Sequence, residues 1–223
     1  MATSPAPDAA KLRSIVQAGS PVLRQPAKTV PRELLGSGWL RGLAEEMTDV
    51  MRAAPGVGLA APQIGEPWRV IVMEDRQEYM DRQAAAGVYS AELLAAVERR
   101  PFGPLVVVNP TLKAVGQEGG AFFEGCLSVR GYTAIVRRYR EVDLEGVDVE
   151  GLPLRLRLTG WAARIAQHEV DHLAGVLYVD RMDARSLAAA DNMPEWVRAL
   201  PGGVTQLGRC ACCHPINSVP TSS

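Results

Sequence analysis

The chain has 223 residues, 47% of them hydrophobic, with 24 lysines and arginines against 25 acids and a formal net charge of -1. That length is enough for one sizeable core, and the balanced charge without a long basic run argues against direct, sequence-specific nucleic-acid binding. No stretch approaches the roughly 18 apolar residues that a membrane span needs, so no membrane partner is expected.

Residues 1–12, rich in Ala, Pro and Ser, are expected to form a flexible N-terminus, with neither the apolar segment of a secretory signal nor the basic amphipathic pattern of a transit peptide. Leu40, Leu43, Met47, Val50 and Met51 recur at helical period and predict a helix that starts at Glu33 or Trp39 and ends at Arg52, before Pro55-Gly56. The run Gly56-Val57-Gly58-Leu59-Ala60-Ala61-Pro62-Gln63-Ile64-Gly65 follows, and its small residues allow backbone to approach a partner closely. A phosphate-binding loop is disfavoured because no Gly-Lys-Ser/Thr completes it. A plain structural loop is the bland alternative, but the Gln63 amide could donate to a developing oxyanion.

Trp68 to Met73 reads as a strand, and Leu105 to Val108 as a second ended by Asn109-Pro110. The charged insertion between them should hold a short helix from Glu92 to Arg100, stopped by Pro101, after a surface excursion around Gln77 to Gly87. Leu112 to Val115 could pair as the next strand, and Ala134 to Tyr139 as another after Glu124-Gly125-Cys126-Leu127-Ser128-Val129. Val142 and Leu144 alternate with acids, and Leu154, Leu156 and Leu158 alternate with Arg155 and Arg157. That alternation predicts a hairpin with one core face and one wet face of cross-strand ion pairs. Val176 to Val179 suggests a last short strand, and periodicity is lost beyond Arg185. The tail Cys210-Ala211-Cys212-Cys213-His214 matches no zinc module and is expected to be disordered.

The chemistry concentrates in Gln167-His168-Glu169-Val170-Asp171-His172, which holds two of the three histidines. Trp161, Ile165, His168 and His172 form one helical stripe, between a Thr159 N-cap and a Gly175 stop. Residues four apart on a helix lie about 5–6 Å from each other, so both imidazoles can reach one ion. Glu169 is rotated off that face and is placed to hold a water as a general base. Two histidines leave a tetrahedral ion short of ligands, and Cys126 is the strongest further candidate. A Cys-plus-two-His set keeps a position open for water, as catalytic sites do. The competing role for Cys126 is that of a nucleophile paired with histidine. Asp171, paired with Arg138, is expected to support the ligands from behind, with a plain surface acid as the alternative.

Taken together, Gly56-Val57-Gly58-Leu59-Ala60-Ala61-Pro62-Gln63, Glu124-Gly125-Cys126-Leu127-Ser128 and Gln167-His168-Glu169-Val170-Asp171-His172 resemble, in order, the three signature motifs of the peptide deformylases. Phe122-Phe123 and Thr159 to Arg164 are most similar to the type 1 subgroup with organellar and some bacterial members, the 1A-like forms. The resemblance implies an α+β fold with mixed, mainly antiparallel sheets packed around a central metal-binding helix. It implies a catalytic domain over residues 13–185, followed by a C-terminal extension over 186–223. It further implies Cys126, His168 and His172 as ligands of Fe2+, with Zn2+, Ni2+ or Co2+ possible there. Glu169 would act as general acid and base, with Gln63 and the Leu127 N–H on the oxyanion. Val57, Gly58 and Gly125 would line the groove for an N-formylmethionyl nascent peptide, with Ile165 and Val129 as either further pocket residues or plain core. Transient ribosome contact follows from that substrate; a bacterial cytoplasm is expected for want of a transit-peptide pattern, with the mitochondrial or plastid matrix as the alternative. Arg130 stands where many members have proline. A zinc endopeptidase and a catalytically silent ribosome-associated protein are the competing functions.

Overall fold

The computed structural model describes residues 12–85 and 91–192. The cysteine-rich tail, and all but the edges of the expected flexible N-terminus and C-terminal extension, lie outside them.

The first helical stripe forms α1, Gly38–Ala53, which buries Leu40, Leu43, Met47, Val50 and Met51. Ser37 caps it, its hydroxyl accepting the Leu40 N–H at 3.2 Å. The helix therefore starts beside Trp39, and Glu33 belongs to a separate 3-10 turn at Arg32–Leu34.

Within the small-residue run lies a three-residue strand, β1 (Gly58–Ala60), and a 3-10 turn at Ala61–Ile64, so that stretch is ordered structure and not a plain loop. β1 is the edge of a five-stranded antiparallel sheet with β2 (Val70–Asp75), β3 (Phe102–Ala114), β6 (Glu141–Val147) and β7 (Pro153–Thr159), in the order β1-β2-β3-β6-β7. Every residue of β2 is buried, and alternation divides them between two faces. Val70 and Val72 pack with α1, while Ile71 and Met73 pack with Ile165, Ala166 and Leu173 of α4 (Gly160–Leu173). The sheet is thus a middle layer, and it presses the histidine helix from one side.

A second sheet, β4 (Gly119–Cys126), β5 (Val129–Tyr139) and β8 (Ala188–Ala189), meets α4 from the other side. The α+β expectation, mainly antiparallel and built around that helix, matches this architecture.

Several local expectations need correction. β3 does not end at Asn109-Pro110 but continues to Ala114, with its register shifted between Val108 and Thr111. Pro110 is tolerated at this irregularity. The Asn109 side chain there accepts the Val30 N–H at 2.8 Å and donates to the Val30 carbonyl at 3.0 Å. The stretch from Gln77 does run over the surface, but as a helix, α2, Gln77–Ala85, which buries Met80. The next helix, α3, covers Ala91–Ala96 and stops short of Arg100, because Glu98 takes a left-handed φ of 51° and Arg99 turns inward. Arg99 donates to Asp75 at 2.6 and 2.9 Å in a buried pair. Tyr178–Asp180 is a 3-10 turn where a strand was expected. Beyond Arg185, β8 pairs Ala188 with Thr133 and Ala189 with Tyr132. In the β6–β7 hairpin, Arg157 meets Asp143 at 2.9 Å on the wet face, as the alternation predicts.

Candidate metal centre

α4 starts after Thr159, which occupies the N-cap position in extended backbone but makes no side-chain capping bond. Gly175 stops it at φ 74°, with its N–H on the His172 carbonyl at 3.1 Å. His168 and His172 therefore sit in the last turns, their rings 5.0 Å apart. Cys126 comes from the end of β4, where the ladder with β5 slips between Gly125 and Cys126 and the chain turns through Leu127 and Ser128.

One donor atom each from Cys126, His168 and His172 lie within 4.8 Å of one another, and the Cys126 Sγ is 3.3 Å from His172 Nε2. His168 Nδ1 is 3.1 Å from Glu124 Oε2, which leaves the other ring nitrogen for the centre. One sulfur and two imidazole nitrogens suit a first-row divalent ion with a coordination position to spare.

Glu169 is buried against Gly58, and its Oε2 has no hydrogen-bond partner. Burial pushes its carboxyl up to about 7, although charge on His168 pulls the other way. Gln63 is also buried, with its Oε1 accepting the Ala60 N–H at 2.8 Å and its Nε2 directed at Ser128 Oγ (3.2 Å) and Cys126 Sγ (3.5 Å).

Behind the centre lies a buried ion network. Arg138 grips Glu124 with two donors, at 3.0 and 2.9 Å, and Arg164 adds a third at 2.6 Å. The remaining Arg138 nitrogen meets Asp171 at 2.5 Å, and Arg181 reaches the same carboxylate at 2.9 Å. The anticipated Asp171–Arg138 pair is present. Burial alone would raise the Glu124 carboxyl, but Arg138, the bond from His168 and Arg164 hold it well below the usual range. Burial lowers Arg164, while Glu124 and Asp171 raise Arg138 against the same penalty.

A cavity of about 360 Å³ opens over the centre, lined by Val57, Gly58, Gly125, Leu127, Ile165 and Trp161 among others. Val129 also lines it. Its far wall comes from Tyr79, Leu94 and Val97, in the insertion that carries α2 and α3. The expected ligands, Glu169, Gln63, Leu127 and the expected groove and pocket residues thus lie at the centre or along this cavity. Sequence reasoning missed Glu124 as the partner of His168. A usable signal existed, since residues two apart on a strand share a face and Glu124 precedes Cys126 by two. It also missed that the α2–α3 insertion walls the cavity, a placement that depends on contacts distant in sequence. Arg130 is exposed, with its backbone N–H 3.4 Å from the Gln17 side chain.

A family model described as polypeptide deformylase matches residues 12–187. The chain is 46% identical over 196 residues to the chloroplastic peptide deformylase 1A of Solanum lycopersicum, spanning 88% of this chain and 68% of that relative. It is 40% identical over 172 residues to the mitochondrial peptide deformylase of Homo sapiens, spanning 77% and 68%. Among solved structures, the Met-Ala-Ser-bound class I type b peptide deformylase of Acinetobacter baumannii superposes with a TM-score of 0.66 at 30% identity, covering 77% of this chain and 99% of that one. The actinonin complex of a peptide deformylase from Synechococcus elongatus gives 0.63 at 36% identity, covering 79% and 82%.

Proposed function

The chain belongs to the polypeptide deformylase family, and we infer that it removes the formyl group from N-formylmethionyl nascent peptides at the Cys126, His168 and His172 centre. The observation that carries this reading is the meeting of three metal-donor side chains with a buried carboxylate, Glu169, whose Oε2 has no hydrogen-bond partner.

A divalent ion held there supplies Lewis acidity toward the formyl carbonyl and makes water more acidic. We assign Fe2+ to the site, with Zn2+, Ni2+ or Co2+ able to use the same ligands. Glu169 accepts a proton from the attacking water at its free Oε2 as the water oxygen bonds to the formyl carbon. The developing oxyanion is met by the Gln63 amide and the Leu127 N–H. Gln63 is held by its oxygen on Ala60, which leaves its nitrogen to exchange Ser128 Oγ for the substrate. The C–N bond then breaks, Glu169 returns the proton to the leaving nitrogen, and formate and a free amine depart.

Val57, Gly58 and Gly125 border the groove, and β1, as a sheet edge, offers unpaired backbone groups to an extended peptide. The methionine side chain enters the apolar part of the cavity between Trp161, Ile165 and Val97. The catalytic domain is assigned to residues 13–185 and the remainder to an extension. Transient ribosome contact follows from a nascent substrate. The compartment is one in which chains start with formylmethionine: a bacterial cytoplasm, or the mitochondrial or plastid matrix that the names of several relatives suggest.

The test is formate release from a formyl-Met peptide by anaerobically purified protein beside Glu169→Ala, with metal quantified in both. A loss of about 10²–10⁴-fold in the variant at equal metal content is expected. Equal turnover removes Glu169 from the mechanism. A fully loaded wild type that releases no formate is the silent protein, and one that cuts internal bonds is an endopeptidase.

A further inference from the structure

The segment Ile15–Ala18 bonds to both the turn that carries Gln63 and the turn that follows Cys126. The Val16 N–H donates to the Gln63 carbonyl at 2.8 Å, and the Ala18 N–H to the Ser128 carbonyl at 2.7 Å. Between them, the Gln17 side chain straddles the turn after Cys126. Its Nε2 donates to the Leu127 carbonyl at 3.0 Å and to the Ile15 carbonyl at 3.3 Å, while its Oε1 faces the Arg130 N–H at 3.4 Å.

The Leu127 carbonyl and the Ser128 N–H belong to one peptide unit. No peptide bond among the described residues is cis, so the two groups point in opposite directions from one rigid plane. Pinning the oxygen therefore sets where the N–H points. It points at the Cys126 sulfur, with Ser128 N 3.4 Å from Sγ. An N–H aimed at a thiolate withdraws charge from it, and such outer partners adjust both the hold on a metal and its electronic character.

We propose that Gln17 is a positioning residue for the metal centre, acting through the Leu127–Ser128 peptide plane to fix the N–H···S bond to Cys126. The residue is exposed and lies 110 positions from Leu127, so its link to the sulfur exists only in the folded chain. The proposal rests on Cys126 being a ligand.

The test uses full-length protein loaded with Co2+. Gln17→Glu keeps the size of the side chain but places a carboxylate oxygen against the Leu127 carbonyl, whereas Gln17→Lys retains a donor there. The readouts are the position of the sulfur-to-cobalt charge-transfer band and the rate of Co2+ release to a chelator. Gln17→Glu should shift the band and release cobalt about 3- to 10-fold faster, below the 10–100-fold typical of a group bonded to a ligand itself. Gln17→Lys should stay near wild type on both. A Gln17→Glu protein with unmoved band and release rate overturns the proposal, even if its turnover falls. Wild type lacking any sulfur-to-cobalt band overturns instead the reading of Cys126 as a ligand.

Discussion

The carboxylate of Glu169 occupies the space that a side chain on residue 58 would need: a β-carbon built on Gly58 falls 2.3 Å from Glu169 Oε1. Any side chain at position 58 would thereby have to displace the Glu169 carboxylate. A Gly58→Ala substitution moves the end of a flexible side chain and no backbone, so folding should change little. Turnover should fall at least about 10-fold, within the range that a general base contributes. Steady-state kinetics beside a melting curve and metal analysis checks this, and an active Gly58→Ala enzyme would show that Glu169 has room to spare.

The raised carboxyl of Glu169 also makes a prediction for metal-free protein. A buried acid pushed up to about 7 from an ordinary 4.5 favours its protonated form when folded. Its cost to stability is absent below about pH 4.5, grows as pH rises toward 7, and is then constant. Glu169→Gln should therefore match wild type at pH 4.5 and exceed it by on the order of 3 kcal/mol at pH 8, since each unit is worth about 1.4 kcal/mol. Urea denaturation of both apoproteins at the two pH values measures the difference, and parallel pH profiles would contradict it.

Arg138 joins Glu124 to Asp171 inside the protein, with its side chain 4% exposed. Arg138→Met would leave two buried carboxylates short of their main cation, a loss of roughly 3–5 kcal/mol. Glu124 would also lose its grip on His168 Nδ1, so metal retention against a chelator should drop about 10–100-fold. Unchanged retention in a folded Arg138→Met protein would separate the network from the centre.

At the end of α4, a β-carbon on Gly175 would lie 2.7 Å from the Arg24 backbone, and the residue already holds φ at 74°. Neither obstacle is a side chain that can swing away. Gly175→Ala should cost at least about 2 kcal/mol, from left-handed strain of about 1–2 kcal/mol plus the clash. The urea midpoint is the measurement, and His172, three residues earlier, predicts weaker metal retention alongside.

Elements whose pattern repeats within one stretch of chain are legible in the sequence. The stripe of α1, the alternation of β6 and β7, and the histidine pair one turn apart are all set by neighbours in sequence. β4 was not anticipated, because Gly119 and Gly120 give it no strand signature and it is held by its pairing with β5, Gly120 against Arg138 and Phe122 against Val136. The inward turn of Arg99 escaped for a similar reason, since Asp75, its partner, lies 24 positions away.

The sequence by itself determined which residues could do chemistry: two imidazoles four apart, one thiol in the body of the chain, and a glutamate off their face. Only the tertiary structure decided that Cys126 reaches His172 at 3.3 Å, that Glu124 holds His168, and that α2 and α3 close the cavity wall. Helical spacing is a property of contiguous backbone and needs no distant partner. Convergence of segments 40 and more residues apart depends on how the two sheets pack against α4, a sum of many small burial terms that no single stretch encodes.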